Sequence, residues 1–475
     1  MLFCTPKFVL FFAAVFALHW AVRGQRVRVW VLLVASVLFY ATWNPWLAAL
    51  IVASTTVDYY LALGMDRATS TRTRKALLAL SVGGNLALLG YFKYVNFFLD
   101  SLREALAALA VPASTPVLEV VVPIGISFYT FEAISYTVDV YRRRIPAERS
   151  LPRLLTFILF FPHLVAGPIV RGRDFLPQLT RPKRWSWPRA GLGVRLIALG
   201  LVKKLAIADR MALFADPVFA DPAAFKASAL WLATFAYYVQ LYCDFSGYSD
   251  IAIGCAHLLG YKLGWNFNLP LLAVNISDFW RRWHISLSSW FRDYVFNPLG
   301  GSRGSEWRTF RNTMAVMVLC GLWHGAAWPF VAFGVVQGCW LTLHRAFRRR
   351  VPADSGLGRL LETPAGTGVR IATTFVLFAL TLVVFRTPSV PAGLDMLGRM
   401  LVPGPGGVRV ALSPQSFVVL AALLVVGHVL VARGWWERMW APLPAAVRGA
   451  ALAVAVSAAF ALAVDDGRAF VYVQF

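Results

Sequence analysis

Charge is what this 475-residue chain has least of: 15% of its residues are Asp, Glu, Lys or Arg, against 59% hydrophobic. Mean hydropathy is +0.63. A soluble domain of average composition has nearer a quarter of its residues charged, so an ordinary soluble enzyme is excluded. Long polar stretches are missing as well. The longest, Arg171–Arg189, is too short to bury a core of its own, which leaves no soluble domain between the apolar blocks. Cysteine is sparse. Cys4, Cys243, Cys255, Cys320 and Cys339 are scattered, without a CxxC pair or zinc-ligand spacing, so they read as structural thiols and no metal site is expected. No Gly-x-Ser-x-Gly elbow, Walker sequence or HExxH occurs, which removes the common soluble hydrolase and nucleotidase signatures. Acidic residues number 23 against 46 basic ones, giving a net charge of +23. The basic residues sit in short loops between apolar blocks, as the positive-inside rule predicts, with no aromatic-interleaved basic stripe. A nucleic-acid partner is therefore not expected, and membrane lipids are.

What the chain does have is apolar blocks such as Val29–Tyr40, Trp46–Val57, Ala76–Leu89 and Ile371–Phe385. A span needs roughly 20 mostly apolar residues, and about ten to thirteen segments of suitable length can be counted. The spacing predicts an all-α, polytopic integral membrane protein. Phe8–Val22 is a retained first span, because no small-residue cleavage site follows it. Placing the basic clusters Arg23–Arg28, Arg67–Lys75 and Arg142–Arg149 inside puts a hairpin at Asn44–Pro45 and an exterior loop at Ser101–Val117. Leu151–Val170 breaks the alternation. Both flanks are basic, and Pro162 and Gly167–Pro168 disfavour a continuous helix, so a re-entrant hairpin lining a cavity is predicted. Asn275–Arg311 mixes arginines with Trp280, Trp283 and Trp290, the pattern of an amphipathic or partly inserted interfacial helix. No inverted repeat is visible, which disfavours a secondary transporter.

Ionisable residues at membrane depth are costly, so each is a functional candidate. His324 stands in Gly321-Leu322-Trp323-His324-Gly325-Ala326-Ala327-Trp328, and its nearest charged neighbours in sequence are Arg311 and Arg345. Small residues after it would let a ligand approach; a buried structural histidine is the alternative. His284, in Trp280-Arg281-Arg282-Trp283-His284-Ile285-Ser286-Leu287-Ser288, would share a helix face with Ser288; an interfacial histidine among solvated arginines is its alternative. The arginines could attract phosphates of a nucleotide-like donor or of lipid headgroups. Asp244 and Asp250 flank Ser246-Gly247-Tyr248 and read as helix caps or arginine partners rather than an acid/base pair. His163 could line the predicted cavity; His19, His257, His344 and His428 read as packing or interface residues.

These residues fall in runs that resemble the membrane-bound O-acyltransferase family, and within it the bacterial alginate O-acetyltransferase branch. The runs are Val122–Phe131, Thr137–Arg142, Phe161–Arg171, Lys203–Arg210, Asp244–Asp250, Asn266-Phe267-Asn268, Phe279–His284, Asp293-Tyr294, Pro298–Gly301, Leu322–Gly325 and Tyr472–Phe475, in shared order over roughly 350 residues. The resemblance implies a single membrane-embedded domain over 1–475, with core motifs in 121–345 and peripheral spans in 1–120 and 365–475. Its helices would surround a central cavity with re-entrant segments. It places His324 at the family's catalytic histidine and His284 at the second histidine of the bacterial members. Asp244, Ser246, Tyr248, Asn275, Arg281, Arg282, Trp283 and His163 are the accompanying substrate-binding candidates.

One departure stands out. Relatives often carry Trp-Gly-x-x-His-Gly, where this chain has Phe333-Gly334-Val335-Val336-Gln337-Gly338. The implied activity is acetyl transfer in the bacterial inner membrane, from acetyl-CoA on the cytoplasmic side to a hydroxyl on the periplasmic side, for an exported alginate-like polysaccharide. No permanently bound cofactor is implied. A periplasmic acetyl-acceptor protein of the SGNH-hydrolase kind is the implied partner. D-alanyl transfer towards teichoic acid, and a non-enzymatic transporter or flippase using the same cavity, are the alternatives.

Overall fold

The computed structural model describes residues 3–111, 116–402, 413–464 and 470, and among these no strand forms. The Tyr472–Phe475 run and part of the predicted exterior loop therefore lie outside the described residues. Among the described residues twenty-one α-helices follow one another. They divide into two compact units: Met1–Ile197 with Ile251–Gly264, and Ala198–Asp250 with Trp265–Phe475.

The first unit begins with α1 (Pro6–Ala21), α2 (Gln25–Ala41), α3 (Pro45–Arg67), α4 (Thr71–Leu89) and α5 (Val95–Ala108). The predicted turn at Asn44–Pro45 is there for a local reason: Asn44 Oδ1 accepts the Trp46 and Leu47 amides, and Pro45 opens the helix. A π-helical stretch, Gly90–Tyr94, joins α4 to α5, so the helix runs to Ala108 and overrides the loop start predicted at Ser101. The next helix, α6 (Ile126–Tyr141), is buried along nearly its whole length.

The break predicted in Leu151–Val170 also appears. Helix α7 (Leu151–Leu159) stops after nine residues, and residues 160–171 are non-helical yet buried. Gly125 lets this strip lie against the start of α6, since a Cβ there would stand 2.7 Å from the Leu164 carbonyl oxygen. Helices α8 (Gly172–Thr180) and the first part of α9 (Trp187–Leu201) complete this stretch. Two arginines of the basic clusters are not solvated. Arg28 donates to the Val22 and Lys183 carbonyls, and Arg74 to those of Met65 and Tyr141.

The second unit holds the end of α9, α10 (Asp209–Ala220), most of α11 (Ala227–Leu258), α12 (Ile276–Arg282), α13 (Ile285–Phe291), α14 (Glu306–His324) and α15 (Trp328–Arg350). Then come α16 (Gly356–Glu362), α17 (Pro364–Arg386), α18 (Val390–Leu401), α19 (Pro414–Ala432), α20 (Trp435–Trp440) and α21 (Ala445–Ala461). Asn275–Arg311 is not one amphipathic helix. It is two seven-residue helices, α12 and α13, a π-helical stretch and an irregular turn before α14. Four helices among the described residues are long and apolar enough to cross a membrane by length and composition: Pro45–Arg67, Thr71–Ala108, Pro364–Arg386 and Gln415–Ala432. The count is below that of apolar blocks because α1 and α21 are shorter, α7 is broken, and α14 and α15 carry charged ends.

Candidate active site

His324 is the last residue of α14, and the chain turns through extended Gly325 into α15. Glycines let the two helices approach closely. A Cβ at Gly321 would stand 2.1 Å from the Phe330 carbonyl oxygen, one at Gly334 2.4 Å from that of Met317, and one at Gly325 2.1 Å from the Phe330 ring. This contact leaves the imidazole 6% exposed. Its ring centroid lies 5.1 Å from Trp323, 5.4 Å from Phe385 and 6.1 Å from Phe333, each at a steep angle.

His284 is fully buried at the junction of α12 and α13 with φ 42° and ψ 54°. It therefore caps α13 and does not share a helical face with Ser288, as periodicity suggested. A side chain in the left-handed region costs roughly 1–3 kcal/mol and persists only where surrounding contacts fix it. Asn266 does the fixing. Its carbonyl accepts the Ile285 amide at 2.9 Å, and the Asn268 amide donates to Arg282 O at 2.9 Å. Its side-chain Oδ1 accepts from Ser286 Oγ at 2.9 Å and lies 3.0 Å from His284 Nδ1.

The Ser286 backbone amide also points at Oδ1, at 3.4 Å, and Nδ2 donates to Ser249 Oγ. A backbone N–H can only donate, so the atom facing His284 is the amide oxygen. The network thus assigns the proton of neutral His284 to Nδ1 and leaves the lone pair on Nε2. Phe245 meets the ring edge-on at 4.7 Å and Trp323 at 5.5 Å. Trp323 therefore contacts both histidines.

The remaining candidates divide by role. Asp244 and Asp250 are not helix caps. They lie inside continuous α11, with no turn at Ser246-Gly247-Tyr248, and both pair with lysines. Lys204 Nζ stands 2.7 Å from Asp244 and 2.8 Å from Asp209, and Lys203 Nζ 2.7 Å from Asp250. Both lysines belong to a π-helical stretch, Val202–Ala208. Gly247 brings α11 against it, since a Cβ there would meet Gly200 O at 2.8 Å. Ser246 and Tyr248 are buried beside this network, Tyr248 with its ring 4.7 Å from Phe470.

Asn275 caps α12 by accepting the Asp278 amide. Arg282 pairs with Asp278 at 2.9 Å, and exposed Arg281 donates to Ser277 O. Trp283 packs among Phe279, Phe267 and Tyr242. His163 belongs to the first unit, in the non-helical strip, with Nδ1 3.3 Å from Glu132 Oε1. That oxygen also accepts the Val170 amide at 2.8 Å. Among the described residues no group of three or more His, Cys, Asp or Glu could hold a metal ion. Sequence reasoning missed the role of Asn266, whose signals were its place in the Asn266-Phe267-Asn268 run and a polar residue set between Trp265 and Phe267.

A helical membrane protein with a buried histidine pair fits acyl transfer, and comparison with known proteins gives the class. The family model described as MBOAT, membrane-bound O-acyltransferase family, matches residues 140–383. The chain belongs to this family and is a membrane O-acyltransferase. It is 38% identical to the "Probable alginate O-acetylase AlgI" of Pseudomonas putida over 433 residues, 91% of this chain and 87% of that protein. The peptidoglycan O-acetyltransferase of Helicobacter pylori is 35% identical over 73% of this chain and 71% of its own length. The teichoic acid D-alanyltransferase of Bacillus subtilis is 32% identical over 48% of this chain and 60% of its own.

Proposed function

We propose that this acyltransferase moves an acetyl group from acetyl-CoA, taken from the cytoplasmic side of a bacterial inner membrane, to a hydroxyl on the periplasmic side. The product would be an O-acetylated exported polysaccharide of the alginate kind. The observation that carries the reading is the pairing of His324 and His284 across Trp323 in one buried aromatic setting. Similarity to an alginate O-acetylase over nine-tenths of the chain supports acetyl over D-alanyl.

In this mechanism His324 takes the proton of the acceptor hydroxyl as its oxygen attacks the thioester carbonyl. The C–S bond breaks, and the leaving thiolate recovers the proton from the imidazolium. Imidazole titrates near neutrality, and such base assistance is worth roughly 10²–10⁴ in rate. The α14 C-terminus favours the transient positive charge on His324. With its Nδ1 proton directed at Asn266, His284 offers a lone pair at Nε2. It therefore suits orienting the acceptor hydroxyl or His324, and not donating to an oxyanion, which needs an N–H. Burial among aromatic rings keeps water from the thioester.

The immediate acceptor would be a serine of a periplasmic SGNH-hydrolase-like protein, with the polysaccharide as final acceptor. The test is thiol release by the purified chain in vesicles, comparing acetyl-CoA with longer acyl-CoAs and adding an exported acceptor. Acceptor-stimulated release from acetyl-CoA is expected. Turnover only with a D-alanyl carrier protein would replace this reading by D-alanyl transfer, and acetylation of polymer by the chain alone would remove the partner.

A further inference from the structure

The pair α14–α15 is tight at one end and open at the other. Near His324 the backbones touch through Gly321 and Gly334. Towards Glu306 and Arg350 residues of both helices line an open groove of about 1110 Å³. That exceeds the ~300–1,000 Å³ of an ordinary small-molecule site. The groove has two chemistries. Phe310, Met317 and Leu341 supply an apolar floor, and Arg281, Arg345, Arg349 and Arg350 supply cationic lining. Glu306 is the carboxylate that lines the groove beside these four arginines, 3.2 Å from Arg345 and 2.5 Å from Arg349. The hydrogen bond from Arg345, followed by that from Arg349, holds the Glu306 carboxyl below its ordinary range. On the same two helices Trp307, Leu343 and Phe347 are 68%, 58% and 42% exposed.

We propose that this groove binds an anionic glycerophospholipid, its phosphate among Arg281, Arg345, Arg349 and Arg350 and its acyl chains along Phe310, Met317 and Leu341. Guanidinium groups match phosphate geometry and are weakly hydrated for cations, so they suit a phosphate at an apolar boundary. A free phosphate would satisfy the arginines but leave the floor uncovered. A zwitterionic lipid would cover the floor but present a cation beside the arginines. An anionic lipid satisfies both walls, and the exposed Leu343 and Phe347 continue the surface that hydrocarbon would cover. The site lies outside the candidate active site. Yet Met317 is seven residues before His324 on α14, so an occupied groove braces the helix that carries the proposed base.

The test compares the full chain with phosphatidylglycerol and with phosphatidylcholine of the same acyl length, by native mass spectrometry for retained lipid and by thermal unfolding in detergent. One phosphatidylglycerol should be retained and should raise the unfolding midpoint, with phosphatidylcholine doing neither. Arg345→Gln and Arg349→Gln should each weaken retention roughly five-fold, the worth of one basic residue near an anionic headgroup. Glu306→Gln removes the competing carboxylate and should tighten it, and this variant serves even if an arginine variant fails to fold. Equal retention of the two lipids would overturn the proposal, as would phosphatidylglycerol retention indifferent to all three substitutions. Displacement of the lipid by coenzyme A alone would overturn it too, by giving the groove to a phosphorylated donor.

Discussion

Asp244 and Phe245 are adjacent on α11 yet serve opposite surroundings. Asp244 receives Lys204, which also holds Asp209, and Asp250 receives Lys203. Phe245 lays its ring against His284, whose hydrogen-bond partner is an uncharged amide. One side of the helix is ionic and the other aromatic. A fixed ion close to an imidazole biases it towards one protonation state, whereas a base in acyl transfer must gain and lose a proton in each cycle. The contrast teaches that the ion pairs of α11 fasten helices, while the contacts described for His284 are an amide and aromatic rings.

The largest effect should come from the aromatic side. His324→Gln keeps hydrogen-bonding capacity but cannot take the proton, so acetyl transfer should fall at least about a hundred-fold. His324→Ala should be equally inactive, and both should keep the wild-type unfolding midpoint, since the substitutions remove an ionisable group from an apolar setting. Acyl transfer measured beside detergent unfolding decides it, and an active glutamine variant would make His324 structural and erase the contrast. On the ionic side the loss should be in stability. Lys204→Met leaves Asp209 and Asp244 buried without their cation and should cost about 3–5 kcal/mol. Neutralising both carboxylates as well, with Asp209→Asn and Asp244→Asn, should recover most of that. A Lys204→Met variant that unfolds normally but does not turn over would move the ion pairs into the chemistry.

A smaller effect tests how His284 is held. Asn266→Leu removes the acceptor facing Nδ1 and should lower turnover roughly ten-fold, the size of one hydrogen bond of ~1–1.5 kcal/mol. Asn266→Asp places a carboxylate there, which favours the imidazolium and removes the Nε2 lone pair. Its rate should fall at low pH first, with the acid limb of the pH–rate profile displaced to higher pH. A profile superimposable on wild type would show that Asn266 shapes the backbone only.

Much of this was legible in the residues because it is local. Asn44–Pro45 caps and starts a helix from its own side chain, Pro162 and Gly167–Pro168 interrupt one, and His324 stands isolated between apolar runs beside small residues. What was not legible is set by distant partners. Helical periodicity put His284 on a face with Ser288, but pairing with Asn266, eighteen positions earlier, turns the backbone left-handed there. Lys203 and Lys204 are adjacent and in a regular α-helix would point about 100° apart. In the π-helical stretch they reach Asp250 and Asp244 on one helix, pairings across 47 and 40 residues that spacing could not reveal.

The smallest effect is expected at Gln337, where relatives often have histidine. Its side chain is fully buried: Oε1 accepts the Trp280 indole N–H at 3.1 Å, and Nε2 donates to Thr381 Oγ1 at 3.0 Å. The glutamine thus ties α12, which leads into His284, to α15 and α17. Gln337→Leu leaves the indole N–H unsatisfied and should cost about 1–3 kcal/mol of stability. Gln337→His can accept from the indole at one ring nitrogen and donate to Thr381 from the other, so stability should be nearly unchanged. If the position only joins helices, Gln337→His should also leave transfer within about two-fold of wild type, because one hydrogen-bonded link has replaced another of similar worth. Acetyl-CoA and longer acyl-CoAs should then be discriminated as before. A histidine variant of normal stability with altered acyl preference would show that position 337 reads the donor, and that the neutral side of the molecule extends beyond the two histidines into α15.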